Sequence, residues 1–320
     1  MIDLIIIDGL AFAFPLFIMA VGGIYSEKSG ITMLALEGIQ GFGAFSGAVI
    51  FTMLKPVLGQ GSYSLIYIAI AMSMMGGMVC ALLHAVLSIR FRINQVVSGV
   101  VVNILAMSLT TFLTGLLNDH LTGDPSNKLW LGAAPRFSVP GLSEIPVLGA
   151  FFRDVYLFVP FIIVFTVIAG VVLHKTAYGL RLRACGDNPG SLDAAGGNVN
   201  RVRYMALAVC GLLTGLGGLF FAFSFSANFS PMIYMGYGYL AIAAMIFGNW
   251  DIRRTLGACL FFGFARSAGY QLILKLGMSS NISDLFLMIP YVLTLVLLMF
   301  FSRHNRPPRA LGVPFDHESR

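Results

Sequence analysis

The chain has 320 residues, 58% of them hydrophobic and only 11% charged, with a formal net charge of +6. Soluble domains carry about a quarter charged residues, so this composition and a mean hydropathy of +0.86 exclude an ordinary soluble enzyme and a disordered chain. They point instead to an all-α, polytopic transmembrane bundle, whose 36 glycines suit helices that touch through small residues. Apolar stretches near the roughly 20 residues needed to cross a bilayer are predicted in nine places. They run Leu4 to Ile24, Ile31 to Leu54, Ser64 to Leu87, Val97 to Leu117, Val155 to Leu173, Tyr204 to Asn228, Met232 to Phe247, Thr255 to Leu274 and Leu285 to Phe301. The seventh is short and glycine-rich, in the manner of a broken or re-entrant element.

Basic residues decide orientation, because cytoplasmic loops retain Lys and Arg. Alternate loops hold fourteen of them on one side, including Lys28, Arg90, Arg92, Lys175, Arg181, Arg183, Arg201 and Arg203, and five on the other. With nine segments this puts the N-terminus outside and the C-terminus in the cytosol. The positive charge is thus a topology signal and implies no nucleic-acid partner. Asp3 and Asp8 in the first segment argue against a cleaved signal peptide. The expected organisation is one membrane domain over residues 1–302, a cytosolic loop over 174–203 and a cytosolic tail over 303–320.

Motifs for chemistry are missing. There is no GxxxxGK[ST] loop to cradle a nucleotide, no HExxH and no GxSxG. The four cysteines lack metal spacing, and His84 stands apart from any second ligand, so no metal site and no catalytic residue is expected. Energy must come from a partner or from an ion gradient.

The loop His174 to Arg203 carries a capped helix. Asn188 suits the N-cap, Pro189 the first turn and Gly196 the left-handed exit, giving a helix from Pro189 to Ala195 with small residues at Ala194 and Ala195. Its plain reading is a solvated connector. However, "GLRLRACGDNPGSLDAAGGNV" followed by "RVRYMALAVCGLLTGLGG" resembles the coupling region of permease subunits of ABC importers, in the branch serving simple sugars and nucleosides. Similar matches lie in "SEKSGITMLALEGIQGFGAFSG", "NQVVSGVVVNILAMSLTTFLTG" and "GYGYLAIAAMIFGNWDIRRTLGACLFFGFA", and the tail "RPPRALGVPFD" is similar to short nucleoside-type permeases.

The resemblance implies that Asn188, Pro189, Ala194, Ala195 and Gly196 belong to a helix seated in a cytosolic ABC ATPase subunit. It also implies an extracytoplasmic solute-binding protein and a second, homologous and unlike, permease subunit in the inner membrane of a bacterium. ATP and magnesium would be bound by the ATPase, with no cofactor in this chain. The solute is then a nucleoside, or alternatively a simple sugar such as ribose. An ion-coupled secondary transporter is the reading of another class, and it would need buried acids at cation sites.

Within the membrane, Gln95, Gly99 and Asn103 share a helical face beside Ser98, and two amides there could meet a polar solute or simply bond neighbouring helices. Glu37 begins the second segment, where it could snorkel structurally or serve gating. Arg266 sits mid-segment at a cost of about 2.5–3.5 kcal/mol, so it must face water, a cavity or a carboxylate, with Asp8 a possible partner. The aromatics Phe220, Phe221, Phe223, Phe225, Tyr234, Tyr237 and Tyr239 are core or belt residues, some of which could stack on a ring-bearing solute.

Overall fold

The computed structural model describes residues 2–59, 62–123, 126–138, 140, 149, 152–234, 236–276, 292 and 305–315. The membrane-length helices include α1 (Ile2–Glu27), α2 (Leu36–Leu58), α3 (Tyr63–Ala85, continued by one π-helical turn, Val86–Arg90) and α4 (Gln95–Thr122). After two-residue strands β1 (Leu129–Trp130), β2 (Arg136–Phe137) and β3 (Val155–Tyr156) come α5 (Phe158–Lys175), α6 (Ala177–Asp187), α7 (Pro189–Ala194) and α8 (Val199–Phe221). A π-helical turn (Ala222–Ser226), β4 (Asn228–Phe229) and a 3-10 turn (Pro231–Ile233) lead to α9 (Tyr237–Phe247) and α10 (Ile252–Leu276). Antiparallel pairs β1 with β4 and β2 with β3 tie the loops at one end of the bundle.

Among the described residues six helices are long and apolar enough to cross a membrane, which corrects the nine expected segments. The seventh stretch is the broken element that its glycines suggested: the chain turns at Pro231–Ile233 and at Gly236, which takes φ +88°, leaving an eleven-residue α9. At 1.5 Å per residue α9 spans roughly 16 Å, about half the hydrocarbon thickness. The eighth stretch forms the 25-residue α10, but Arg266, Ser267 and Gln271 dilute its apolar character. The ninth, Leu285 to Phe301, lies outside the described residues except for Val292. The count of nine therefore no longer carries the orientation, although α1 begins at the end opposite the turn Lys28–Gly30, across which residues 305–315 run.

At the centre lies α8, packed by α1, α2 and α3, while α9 and α10 close on α1. The close approach follows from sequence: Gly43 of α2, Gly77 of α3 and Gly211 and Gly215 of α8 meet backbone to backbone, and a Cβ on Gly215 would strike the carbonyl of Ser73. Apolar side chains gain little by leaving lipid for protein, so this fit supplies association that hydrophobicity cannot.

Among the described residues, Lys28, Arg181, Arg183, Arg201, Arg203, Arg253, Arg254, Arg306 and Arg309 of the richer side belong to one end, formed by the turn Lys28–Gly30, α6, α7 and the starts of α8 and α10. Residues 305–315 run across this end: Arg306 N donates to Asn249 Oδ1 at 2.8 Å, Ala310 N to the Gly186 carbonyl at 2.8 Å and Gly312 N to that of Gly30 at 3.0 Å. The buried Arg203 guanidinium fastens the layers by donating to the carbonyls of Ser29 at 3.2 Å and Val313 at 3.3 Å.

Gly215→Val should abolish recovery of folded protein from membranes, whereas Gly257→Val, where a Cβ meets open space, should be recovered normally. Equal recovery, measured by monodispersity in detergent, would remove close helix contact as the organising feature.

Candidate functional site

Between α1 and α2 the chain runs irregularly through residues 31–35 inside the bundle. Its backbone groups need partners because no water competes for them there. Thr32 N donates to Gln95 Oε1 at 2.7 Å, and the Thr32 carbonyl faces His84 Nε2 at 3.3 Å. A carbonyl can only accept, so that nitrogen carries the ring proton and His84 Nδ1 accepts from the Ser98 hydroxyl at 2.9 Å. Met33 N donates to Glu27 Oε1 at 3.3 Å, and the Leu34 carbonyl accepts from Asn103 Nδ2 at 2.8 Å. The Glu27 carboxylate also accepts from Trp250 Nε1 at 2.6 Å, joining the end of α1 to the start of α10.

A second departure from α-helix, over residues 227–234 with β4 and the 3-10 turn, and Gly236 at the start of α9 are held from the same helices. Gly236 N and Gly238 N donate to the two oxygens of Glu37, at 2.7 and 2.6 Å. Glu37 is 4% exposed, so it does not snorkel: its carboxylate caps the N-terminus of α9, where free N–H groups and the helix dipole both favour a negative charge. Gln40 Nε2 donates to the Ile233 carbonyl at 2.8 Å, Tyr234 OH meets Thr110 Oγ1 at 3.2 Å, and Asn103 Nδ2 reaches Tyr239 OH at 3.0 Å. Asn103 Oδ1 accepts from Gly38 N at 2.7 Å.

Three of the four membrane residues singled out from sequence, Glu37, Gln95 and Asn103, are thereby brought together in one buried polar network. Their positions on α2 and α4 serve the irregular backbone between α1 and α2 and the first turns of α2 and α9. Glu27, Gln40, Thr110 and Arg203 belong to the same kind of bonding and escaped the sequence reading. An acid or amide within a few residues of a Gly-rich or Pro-bearing break is the signal that could have found Glu27 and Gln40.

Arg266 lies elsewhere. Its guanidinium carbon sits 4.7 Å from the Phe12 ring centroid and 4.4 Å from that of Phe225, and Asp8 accepts instead from Gln271 Nε2 at 3.0 Å. Among the described residues no carboxylate pairs with Arg266, and the ring faces supply its cation with partners.

At the basic end, α7 has the expected build: Asn188 Oδ1 accepts from Ser191 N at 3.1 Å, Pro189 opens the helix, and Gly196 takes φ +79° just beyond it. Ala194, Ala195 and Gly196 are exposed. Cys185 is fully buried beneath, its thiol donating to the Ser29 carbonyl at 3.3 Å, and burial pushes its pKa up, away from the reactive thiolate. All four cysteines are buried, and no three-residue metal cluster occurs among the described residues.

The arrangement is that of a membrane translocation subunit, with helices broken at depth by bonded backbone and a short capped helix displayed at one end. The chain belongs to the family described as branched-chain amino acid transport system / permease component, whose model matches residues 5–298. It is 35% identical over 316 residues to the guanosine ABC transporter permease protein NupQ of Bacillus subtilis, covering 98% of this chain and 97% of that protein. To the nucleoside ABC transporter permease protein NupC of Lactococcus lactis it is 34% identical over 318 residues, again covering 98% and 97%. A second Lactococcus lactis protein, the nucleoside ABC transporter permease protein NupB, is 23% identical over 256 residues, covering 77% of this chain and 67% of its own length. No solved structure matches the chain. The protein is therefore an ABC permease of the bacterial inner membrane, a translocation component and not an enzyme, working with an ATPase and a solute-binding protein.

Glu37→Ala strands the N–H groups of Gly236 and Gly238 and should cost about 1–3 kcal/mol of stability, while Glu37→Gln, which keeps one acceptor, should fall between. Thermal unfolding in detergent reads the order, and identical midpoints for all three proteins would refute the capping role.

Proposed function

We propose that this permease carries nucleosides into the cytosol. The similarity to NupQ and NupC over nearly the full length of each is the observation that carries the reading. The polar groups inside the bundle are mainly amides, hydroxyls and two self-satisfied carboxylates, which suit an uncharged polar solute; a phosphate or dicarboxylate calls for several cations. An ion-coupled mechanism lacks support, since the buried acids Glu27 and Glu37 are engaged by backbone N–H and indole donors.

The segment 174–203 is the coupling element, and the basic end that bears it faces the cytosol. There Asn188 and Pro189 shape α7, and the small surface of Ala194, Ala195 and Gly196 allows the ATPase to approach closely; ATP and magnesium are bound on that partner. The other half of the path is supplied by a second, unlike permease, a reading supported by the presence of both NupB and NupC in one organism. Gln95, Asn103 and Glu37 act on transport by holding the broken segments that line up beside the path, and Arg266 by holding aromatic rings.

Because the native cysteines are buried, Ala194→Cys supplies a single reactive thiol. An impermeant maleimide should label it in inside-out vesicles and leave it unlabelled in intact cells, and the reverse would invert the orientation. Ala195→Arg, on an exposed position, should leave the bundle's melting unchanged and remove the ATPase from the purified complex. Normal co-purification would defeat the coupling assignment. Proteoliposomes holding the whole transporter should accumulate labelled guanosine only with ATP, with excess ribose competing poorly. Strong ribose competition and none by nucleosides would overturn the solute.

A further inference from the structure

The nucleoside reading leaves open where the solute touches this chain, and an aromatic cluster at the end opposite the basic one supplies a place. Phe221 and Tyr237 stack with centroids 4.8 Å apart and planes 25° from parallel. Phe12 stands edge-on against both of them and against Phe225, at 5.5 to 5.7 Å. The Arg266 cation lies over Phe12 and Phe225. Four rings and one guanidinium thus fix one another, and fixed rings lose little freedom when a ligand stacks on them.

The cluster is not sealed. Phe12 and Phe221 are buried at 1% exposure, yet Phe225 is 39% exposed. Phe225, Phe221 and Tyr237 form the aromatic wall of a cavity of about 200 Å³, whose remaining lining joins the apolar Met232 and Ile233 to the polar Lys128, Ser226, Asn228 and Ser230. A belt residue facing lipid would have apolar neighbours alone, and a fully packed core ring would have no opening; here four polar side chains share the cavity with Met232 and Ile233. A ring face beside hydroxyl, amide and ammonium groups instead matches a flat, neutral solute with hydrogen-bonding edges. Sites for a whole drug-sized molecule measure roughly 300–1,000 Å³, so this cavity has room for the flat part alone.

Resting on the nucleoside reading, we infer that Phe225 and Tyr237 form a half-site for the nucleobase at the outer mouth of the path, with the ribose left to the second permease. Arg266 is a positioning residue in it, acting through the rings it covers. The half-site reads a π face more than a particular base edge, since every base offers one, so purine and pyrimidine nucleosides both enter while a free pentose does not.

The test uses the complete transporter in proteoliposomes, with the binding protein loaded. Photolysis with 8-azidoadenosine should label the peptide containing residues 221–237, with protection by guanosine and uridine and none by ribose. Labelling confined to other segments overturns the half-site without recourse to any variant. Phe225→Leu, which keeps bulk but loses the π face, should lower initial guanosine uptake about tenfold, in line with the loss of one stacking contact, and Phe225→Trp should restore it to within about twofold. Wild-type uptake in Phe225→Leu overturns the half-site and leaves nucleoside import intact. Failure of the unaltered transporter to accumulate any nucleoside, with accumulation of ribose, brings down both.

Discussion

Backbone that leaves the helix inside an apolar bundle has no water to bond, and this constraint organises the molecule. Residues 31–35 and 227–234 are two such departures, and the polar side chains that answer them and the start of α9 come from the helices around: Glu27 from α1, Glu37 and Gln40 from α2, His84 from α3, and Gln95, Asn103 and Thr110 from α4. Asn103 is the most heavily used, since it serves the Leu34 carbonyl, the Gly38 N–H and the Tyr239 hydroxyl at once. Each bond is individually modest, about 0.6 kcal/mol on average in a membrane bundle. The alternative, an orphaned peptide group in hydrocarbon, costs several kcal/mol.

Small residues perform the complementary task. Gly43, Gly77, Gly211 and Gly215 bring α2, α3 and α8 to backbone distance, and Gly41 leaves the space that the Tyr234 ring fills. Tyr234 in turn reaches Thr110, so a missing side chain on α2 and a hydroxyl on α4 together seat one aromatic of the second broken segment. Packing and polar satisfaction are therefore not separate layers here. The glycines set the helix spacing at which the amides can bridge.

Much of this was legible in the chain. Composition gave the class, and the cap Asn188, followed by Pro189 and closed by Gly196, gave α7 almost to the residue, because capping is local chemistry. The i, i+4, i+8 spacing of Gln95, Gly99 and Asn103 correctly put them on one face, yet spacing could not say that the face meets residues 32 to 38, which depends on tertiary packing. The break in the seventh stretch was legible from its glycines, but not that the eleven-residue α9 starts on a carboxylate two hundred residues upstream, and the span count passed over the polar residues of α10. Arg266 was recognised as demanding a partner, but hydropathy and charge rules look for an acid or water, and the partners are ring faces.

The strap of residues 305–315 gives the molecule an order of completion. Ribosomes make these residues after every helix from α1 to α10, yet they supply the acceptor at Val313 for the buried Arg203 and the donors at Ala310 and Gly312 for the carbonyls of Gly186 and Gly30. During synthesis the Arg203 guanidinium, the turn at Lys28–Gly30 and the end of α6 thus wait, half-bonded, in an otherwise inserted bundle. Only when the strap emerges does that end acquire its final shape. A chain cut short before it would lack these bonds at the end where α7 is displayed.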